Sequence, residues 1–515
     1  MKHLRYVAYI AAFLTVASCK TTSPSGPDDG KLEVVFVQVN DVYEIAPLAG
    51  GQEGGVARVA TLKKQYLKTN PNTFLVIAGD FLSPSVYNSL QYEGKSIRGR
   101  QMIAALNAAK MDFAVFGNHE FDIKESELQD RLNESEFQWI ASNTFHKQGT
   151  NMVPFARTSN PTNSPFPKSM ILTLQDKDGT SVKIGFMGIT APFNQADYVH
   201  YTSNSLATAK EVYQSLKDSV DALVAITHQS VADDRLLAQA LPGLALIIGG
   251  HEHDMRLLKE GNVYITKAHA NAKSAYVIKL AVNKKTGKLT VVPELKYLND
   301  QVSLDSATNV VVQKWTDIAE KNYRSLGFDP KQIVLTTGEP LDGREDQVRH
   351  HPTNLTKLMM AAFAAAAPQA DVVLANAGSI RVDDILPLPL TQYDIVRSLP
   401  FGGSLKEVEM KGRLLTKVLE QGRKNAGSGG YLLYHDALTY DAATNAWKIK
   451  NQVISPTKTY RVAMNDFLLT GKEINLDYLN PTNPDIVREF KRDAAIPNPQ
   501  SDVRLAIVRY LEMKP

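Results

Sequence analysis

Six short apolar runs, five of them closed by a polar cluster, limit most strongly what this chain can fold into. They are Leu32–Val39, Phe74–Ala78, Phe113–Phe116, Lys183–Ile189, Ala222–Ile226 and Leu244–Ile248. Each holds four to eight residues, mostly Val, Ile, Leu, Phe and Ala, without strict alternation. That is the pattern of strands buried on both faces. Helical stretches such as Gly55–Lys68 and Arg98–Ala109 lie between them. Strands alternating with helices imply an α/β layered sheet.

The clusters sit where the runs end. Val39-Asn40-Asp41 closes the first, Ala78-Gly79-Asp80 the second, and Gly117-Asn118-His119-Glu120 the third. Thr227-His228 closes the fifth, and Gly249-Gly250-His251-Glu252-His253 the sixth. In open α/β sheets ligands bind at the carboxyl ends of the strands. Asp41, Asp80, Asn118, His228, His251 and His253 are therefore expected to converge on one site. Their mixed oxygen and nitrogen donors suit Zn²⁺, Mn²⁺ or Fe²⁺. A carboxylate bridging two metals ~3.5–4 Å apart is the usual setting for in-line attack on phosphorus.

The remainder of the chain reads differently. Ala275–Val282 and Leu289–Tyr297 flank Lys284-Lys285-Thr286-Gly287 as a hairpin-like pair. Ser306–Ser325 has helical periodicity and reads as a connecting helix. Composition restarts at Val334. Helices are expected at Asn354–Ala366, Leu414–Gln421 and Arg504–Glu512, and strands at Val372–Ala375, Leu405–Met410 and Tyr460–Met464. This half is α+β.

Composition narrows the classes. With 43% hydrophobic and 22% charged residues over 515, the chain is neither largely disordered nor a multi-span membrane protein. Its formal charge of +3 gives no ground for binding a nucleic-acid polymer or for electrostatic attraction to anionic lipid. The single cysteine, Cys19, rules out an intrachain disulfide framework and a cysteine metal site.

Cys19 ends a secretory signal pattern. Lys2 and Arg5 precede the apolar stretch Tyr6–Ala17, which is too short to span a bilayer. Val16-Ala17-Ser18-Cys19 resembles the bacterial lipobox. That resemblance implies a signal over residues 1–18, lipidation of Cys19, and membrane attachment through that anchor alone. Lys20 after the cysteine favours the outer membrane of the cell envelope, facing the periplasm or the surface. Residues 19–30 read as a polar, flexible tether.

Gly79-Asp80, Gly117-Asn118-His119-Glu120, Thr227-His228 and Gly250-His251-Glu252-His253 together resemble the calcineurin-like metallophosphoesterase signature. In the second half, Asn376-Ala377-Gly378-Ser379-Ile380-Arg381 and Leu399-Pro400-Phe401-Gly402-Gly403 resemble elements of the bacterial 5′-nucleotidase, UDP-sugar hydrolase and cyclic nucleotide phosphodiesterase superfamily. The resemblance implies a four-layer α/β/β/α metallophosphoesterase sandwich over 31–302. A connecting segment over 303–332 and a separate α+β substrate-binding domain over 333–515 would follow. It implies two divalent ions and hydrolysis of a nucleotide or related phosphoester. Asp80 would bridge the ions, Asp41 and His253 would hold one, and Asn118, His228 and His251 the other. His119, oriented by Asp122, would act on the phosphoryl group. Arg349, Asn376, Arg381 and Tyr431 would hold the nucleoside and the non-scissile groups.

Two departures stand out. The first motif reads Asp41-Val42-Tyr43 where the family usually has Asp-x-His. Tyr43 is then either a neighbour of the ligands or a phenolate ligand for a harder ion such as Fe³⁺. The segment Gly471-Lys472-Glu473-Ile474-Asn475-Leu476-Asp477-Tyr478 replaces a Gly-Gly-Asp-Gly-Phe-like loop. These departures leave UDP-sugars, cyclic nucleotides and an inactive phosphatase scaffold as alternatives.

Overall fold

The computed structural model describes residues 28–159, 164–193, 195–491 and 498–513. The signal over 1–18, Cys19 and the tether up to residue 27 lie outside the described residues. Among the described residues no helix is long and apolar enough to cross a membrane.

Two six-stranded sheets stack face to face. In the first, Lys31–Val39, Thr73–Ala78, Phe113–Val115 and Gln138–Trp139 run parallel. The hairpin Ser274–Asn283 and Lys288–Tyr297 adds antiparallel strands beside Lys31–Val39. In the second, Ser181–Thr190, Ala222–His228, Leu246–Gly250 and Val263–Lys267 run parallel, flanked by the antiparallel strands Ser169–Gln175 and Arg256–Glu260. Residues alternating along each strand fill the space between the sheets: Phe36 and Phe113 pack on Phe186, with ring centroids 5.9 and 5.2 Å away. The opposite faces are covered by Val56–Leu67 and Arg100–Ala108 on one side and by Ser205–Leu216 and Val231–Ala240 on the other. The result is the expected helix–sheet–sheet–helix sandwich.

Ser306–Ser325 forms the expected helix, but it is more than a connector. Asp305 caps it, accepting from Thr308 N at 3.0 Å. Val312, Trp315, Ala319 and Tyr323 form one buried stripe packed against Val56–Leu67 and Arg100–Ala108. Trp315 meets Tyr92 ring to ring at 5.1 Å. The helix thus belongs to the outer layer of the first sheet.

The rest of the chain builds a five-stranded sheet in the order Leu432–Tyr434, Val372–Asn376, Thr459–Asn465, Leu405–Lys411, Ile486–Glu489. Asn354–Ala366 and Val503–Glu512 pack together beside it, and Gly412–Lys424 contributes its apolar face to a separate core.

The strands of the second sheet run further than their apolar composition suggests. His228 and Gly249-Gly250 are the last residues of their strands, because His228 pairs with Thr190 on one side and Gly250 on the other. Two glycines let the sheets close here. A Cβ on Gly79 (φ +78°) would lie 2.5 Å from His228 Nδ1, and one on Gly250 2.2 Å from Ala78 O.

Candidate metal and phosphoryl site

The strand ends of both sheets meet at one buried cluster. Asp41 and Asp80 stand at left-handed corners (φ +52° and +54°), as does His251 (φ +86°). Non-glycine residues bear such strain where the surroundings over-determine it, which is common at functional sites. Ligand atoms of Asp41, Asp80 and His228 all lie within 4.8 Å of one another. One oxygen of each carboxylate is held by the chain itself. Asp41 Oδ2 accepts from Asn40 Nδ2 at 2.8 Å and His251 N at 3.0 Å, and Asp80 Oδ1 accepts from His119 N at 2.8 Å. Asp41 Oδ1 and Asp80 Oδ2 remain turned toward the imidazoles. His253 Nε2 lies 3.6 Å from the former, and His228 Nε2 3.1 Å from the latter.

The outer ring nitrogens fix the imidazoles. His228 Nδ1 faces Ala78 O at 2.8 Å, which leaves Nε2 aimed inward. His253 Nδ1 faces Asp383 Oδ2 at 2.5 Å, a carboxylate contributed by the second half of the chain. His251 stacks on Phe193, centroids 4.5 Å apart.

Two buried atoms, Asn118 Oδ1 and His228 Nε2, lack a hydrogen-bond partner of adequate geometry. An orphaned buried acceptor costs about 1–3 kcal/mol. Both belong to the expected ligand set; a cation would satisfy Asn118 Oδ1 directly and His228 Nε2 on displacing the proton that Asp80 attracts there, so the residues present fit a metal centre. The charges also balance one another. Burial opposes a proton on His228, yet Asp80 and Asp41 outweigh it and push the imidazole up to about 10. Burial and the neighbouring His228 push His251 down to about 3.

His119 lies beside the cluster. Its Nδ1 is 2.7 Å from Asp122 Oδ2, which also accepts from Ser83 Oγ at 3.2 Å. Burial disfavours its charged form, but Asp122 and Asp80 prevail and the imidazole is raised above its ordinary value. Arg381 Nη2 approaches His119 Nε2 to 2.8 Å across the two halves of the chain. Glu345 pairs with Arg349 and lies 3.7 Å from Arg381. A cleft of about 660 Å³ runs between the halves, lined by His251 and His253 on one side and Glu345, Arg349 and Asp383 on the other.

Arg349 and Arg381 thus reach the site. Asn376 and Tyr431 lie on the second half of the chain. The Asn376 side chain is buried and accepts from Asn465 Nδ2 at 2.8 Å. Tyr431 lines a separate pocket of about 90 Å³ with Pro352, Thr356 and Lys357.

Sequence reasoning assigned no role to four supporting groups. Asn40 and Asp383 orient ligands, as described. Glu120 is wholly buried and accepts four backbone N–H bonds: Asp80 N and Gly117 N on Oε2 at 2.9 and 2.5 Å, Phe81 N and Leu82 N on Oε1 at 2.7 and 3.1 Å. Lys267, also wholly buried, ties two strand ends together. It donates to Gln229 O at 2.7 Å and Gly250 O at 2.8 Å, and pairs with Glu252 and, at 2.9 Å, with Asp234. A lysine closing the apolar run Val263-Tyr264-Ile265-Thr266 was the available signal for it.

Two carboxylates, an amide and three imidazoles at the strand ends of a two-sheet sandwich, beside a His–Asp pair, define a metal-dependent phosphoester hydrolase. Residues 34–255 match the calcineurin-like phosphoesterase family, and residues 333–477 match the 5′-nucleotidase C-terminal domain. The chain thus carries a calcineurin-like metallophosphoesterase domain followed by a 5′-nucleotidase C-terminal domain. It is 25% identical to a bovine 5′-nucleotidase, covering 81% of this chain and 78% of that protein. It is 23% identical to protein UshA of Escherichia coli, covering 92% and 91%. The trifunctional nucleotide phosphoesterase YfkN of Bacillus subtilis is 23% identical over 87% of this chain, which spans only 32% of that protein. The fold is shared with a 5′-nucleotidase precursor from Thermus thermophilus, with a TM-score of 0.68 at 21% identity over 93% of this chain and 96% of that one.

Proposed function

We propose that the chain hydrolyses nucleotides to nucleoside and phosphate outside the cytoplasm. One observation carries this reading: Arg381 from the second half meets the His119–Asp122 pair directly beside the ligand cluster. That arrangement brings anion-binding and proton-handling groups to one phosphoryl position.

In this reading Asp41, Asp80 and His253 hold one cation, and Asp80, Asn118, His228 and His251 the other. The ions are Zn²⁺, Mn²⁺ or Fe²⁺ by donor type. Bound cations supply Lewis acidity and lower the pKa of an attacking water. The chain does the rest. Asp122 holds the proton on His119 Nδ1, which leaves Nε2 to accept from Arg381 in this structure; with a phosphate between the two groups, Asp122 would favour the imidazolium and Nε2 would stabilise or protonate the leaving oxygen. Arg381 and Arg349 neutralise the phosphate and orient it. Asp383 keeps His253 aimed at the site when the two halves are together. Tyr431 and Asn376 are proposed to serve the nucleoside.

The functional units are residues 31–302 and 333–515, joined through 303–332. Residues 1–18 direct export, and lipid on Cys19 tethers the mature chain to the envelope, at the outer membrane. Retention of every expected ligand except the family's usual histidine at position 43 argues against an inactive scaffold. The test is phosphate release by the metal-reconstituted protein from nucleoside monophosphates, UDP-sugars and cyclic nucleotides, with and without a chelator. Chelator-sensitive release, fastest from the monophosphates, supports the reading. Release indifferent to chelation, or none from any nucleotide, overturns it.

A further inference from the structure

One corner of the second half carries three charged side chains onto the first. Arg381 Nη2 reaches His119 Nε2 at 2.8 Å, Asp383 Oδ2 reaches His253 Nδ1 at 2.5 Å, and Asp384 pairs with Lys273. Asp383 stands in the left-handed region (φ +40°), strain that a non-glycine residue keeps where its surroundings over-determine it. Both of its oxygens are committed. Oδ2 accepts from His253, and Oδ1 accepts from Glu345 N at 2.5 Å. With His253 Nδ1 donating to Asp383, Nε2 is the ring nitrogen left to face Asp41 Oδ1, 3.6 Å away.

The rest of the ligand set is supported from within the first half. His228 Nδ1 faces Ala78 O, and His251 stacks on Phe193. Asn40 and the backbone of His251 hold Asp41, and the backbone of His119 holds Asp80. Among the described residues, His253 is the one ligand whose orienting partner comes from the second half.

We propose that the two cation positions differ in this respect. The one at Asp41, Asp80 and His253 is linked through Asp383 to the junction between the halves, and the one at Asn118, His228 and His251 is not. A cation on His253 Nε2 needs the ring orientation that Asp383 imposes, so it binds more tightly when the corner is docked. By linkage the bound cation then holds the corner docked by the same factor. Orienting partners of this kind are worth ~10–100-fold in metal affinity. Arg381 leaves the same corner two residues earlier, so filling this position also steadies the guanidinium beside His119. The inference rests on the two-metal reading above and deepens it.

The test uses the full-length chain, stripped of metal and titrated with zinc by calorimetry. Amide hydrogen exchange is followed, with and without zinc, in the peptides that carry Glu345 and Ile385. Their N–H groups donate to Asp383 Oδ1 and, at 2.9 Å, to Asp384 Oδ1, so they exchange when the corner opens. The wild type should bind two ions, and zinc should slow exchange in both peptides by ~10-fold or more. Asp383→Asn keeps a residue type that tolerates left-handed backbone, but it offers one acceptor where Asp383 uses two. It should bind one ion ~10–100-fold more weakly and the other unchanged, and lose most of the zinc effect on exchange. Asp384→Asn loosens the same corner without touching a ligand and should keep both affinities within about fivefold. Wild-type exchange indifferent to zinc, Asp383→Asn affinities equal to the wild type's or weakened alike for both ions, or an equal loss in Asp384→Asn would each overturn the proposal. A wild type that binds one ion or none would instead sink the two-metal reading beneath it.

Discussion

Glu120→Gln isolates the part of the site that shapes the loops without touching a metal position. Each Glu120 oxygen accepts two buried backbone N–H groups, those of Asp80 and Gly117 on one side and of Phe81 and Leu82 on the other. A glutamine keeps the volume but turns one oxygen into an NH₂ group. Whichever way the amide faces, two buried N–H donors lose their acceptor and meet another donor. At ~1–3 kcal/mol for each, the cost is about 2–6 kcal/mol. That is a large part of the ~5–15 kcal/mol that holds a typical domain folded. The same bonds hold the Asp80 corner and Gly117, whose missing side chain makes room for Asp80, so metal affinity should fall with stability. The assay is urea unfolding with and without added metal, together with metal titration of the folded protein. A loss under ~1 kcal/mol with unchanged metal affinity would refute the argument that Glu120 builds the corner.

Three further outcomes are expected. Lys267→Met strands Asp234 and Glu252 without their cation and should cost about 3–5 kcal/mol in urea unfolding, part of which Asp234→Asn should restore in the double variant. His119→Ala should keep its full metal content while losing ~10²–10⁴-fold in kcat, whereas metal lost in step with rate would make His119 a ligand. Burial pushes Glu44 up to about 7 despite its hydrogen bond from Tyr393, so the folded state binds an extra proton between the ordinary carboxyl value and about 7. Stability should therefore fall as pH rises through that window, and Glu44→Gln should flatten the slope and stabilise the protein by roughly 3 kcal/mol at about pH 8, read from urea midpoints.

The residues that carry charge to the site were legible because each ends a buried strand. An apolar run followed by Asp, Asn or His marks both a strand and its end, so the meeting of Asp41, Asp80 and His228, with His253 beside Asp41, could be expected from sequence alone. What supports them was harder to read. Glu120 earns its role from backbone groups some 40 residues earlier in the chain, and Asp383 acts only because two halves of the chain meet at His253. The periodicity of Ser306–Ser325 marked a helix, but its packing against the first sheet's helices lay in the stripe of Trp315 and Tyr323. Tyr431 follows a glycine-rich turn that suggested a stacking position, and it lines a small pocket with Pro352, Thr356 and Lys357.

The central claim is that Asp80 joins two cations at the strand ends. It is tested most directly by anomalous diffraction from crystals of the metal-loaded protein, compared with Asp80→Asn. Two peaks ~3.5–4 Å apart on either side of Asp80, one beside Asp41 and His253 and the other beside Asn118, His228 and His251, both weakened in the variant, are the predicted result. A single peak, or two peaks that persist unchanged without the Asp80 carboxylate, would contradict it.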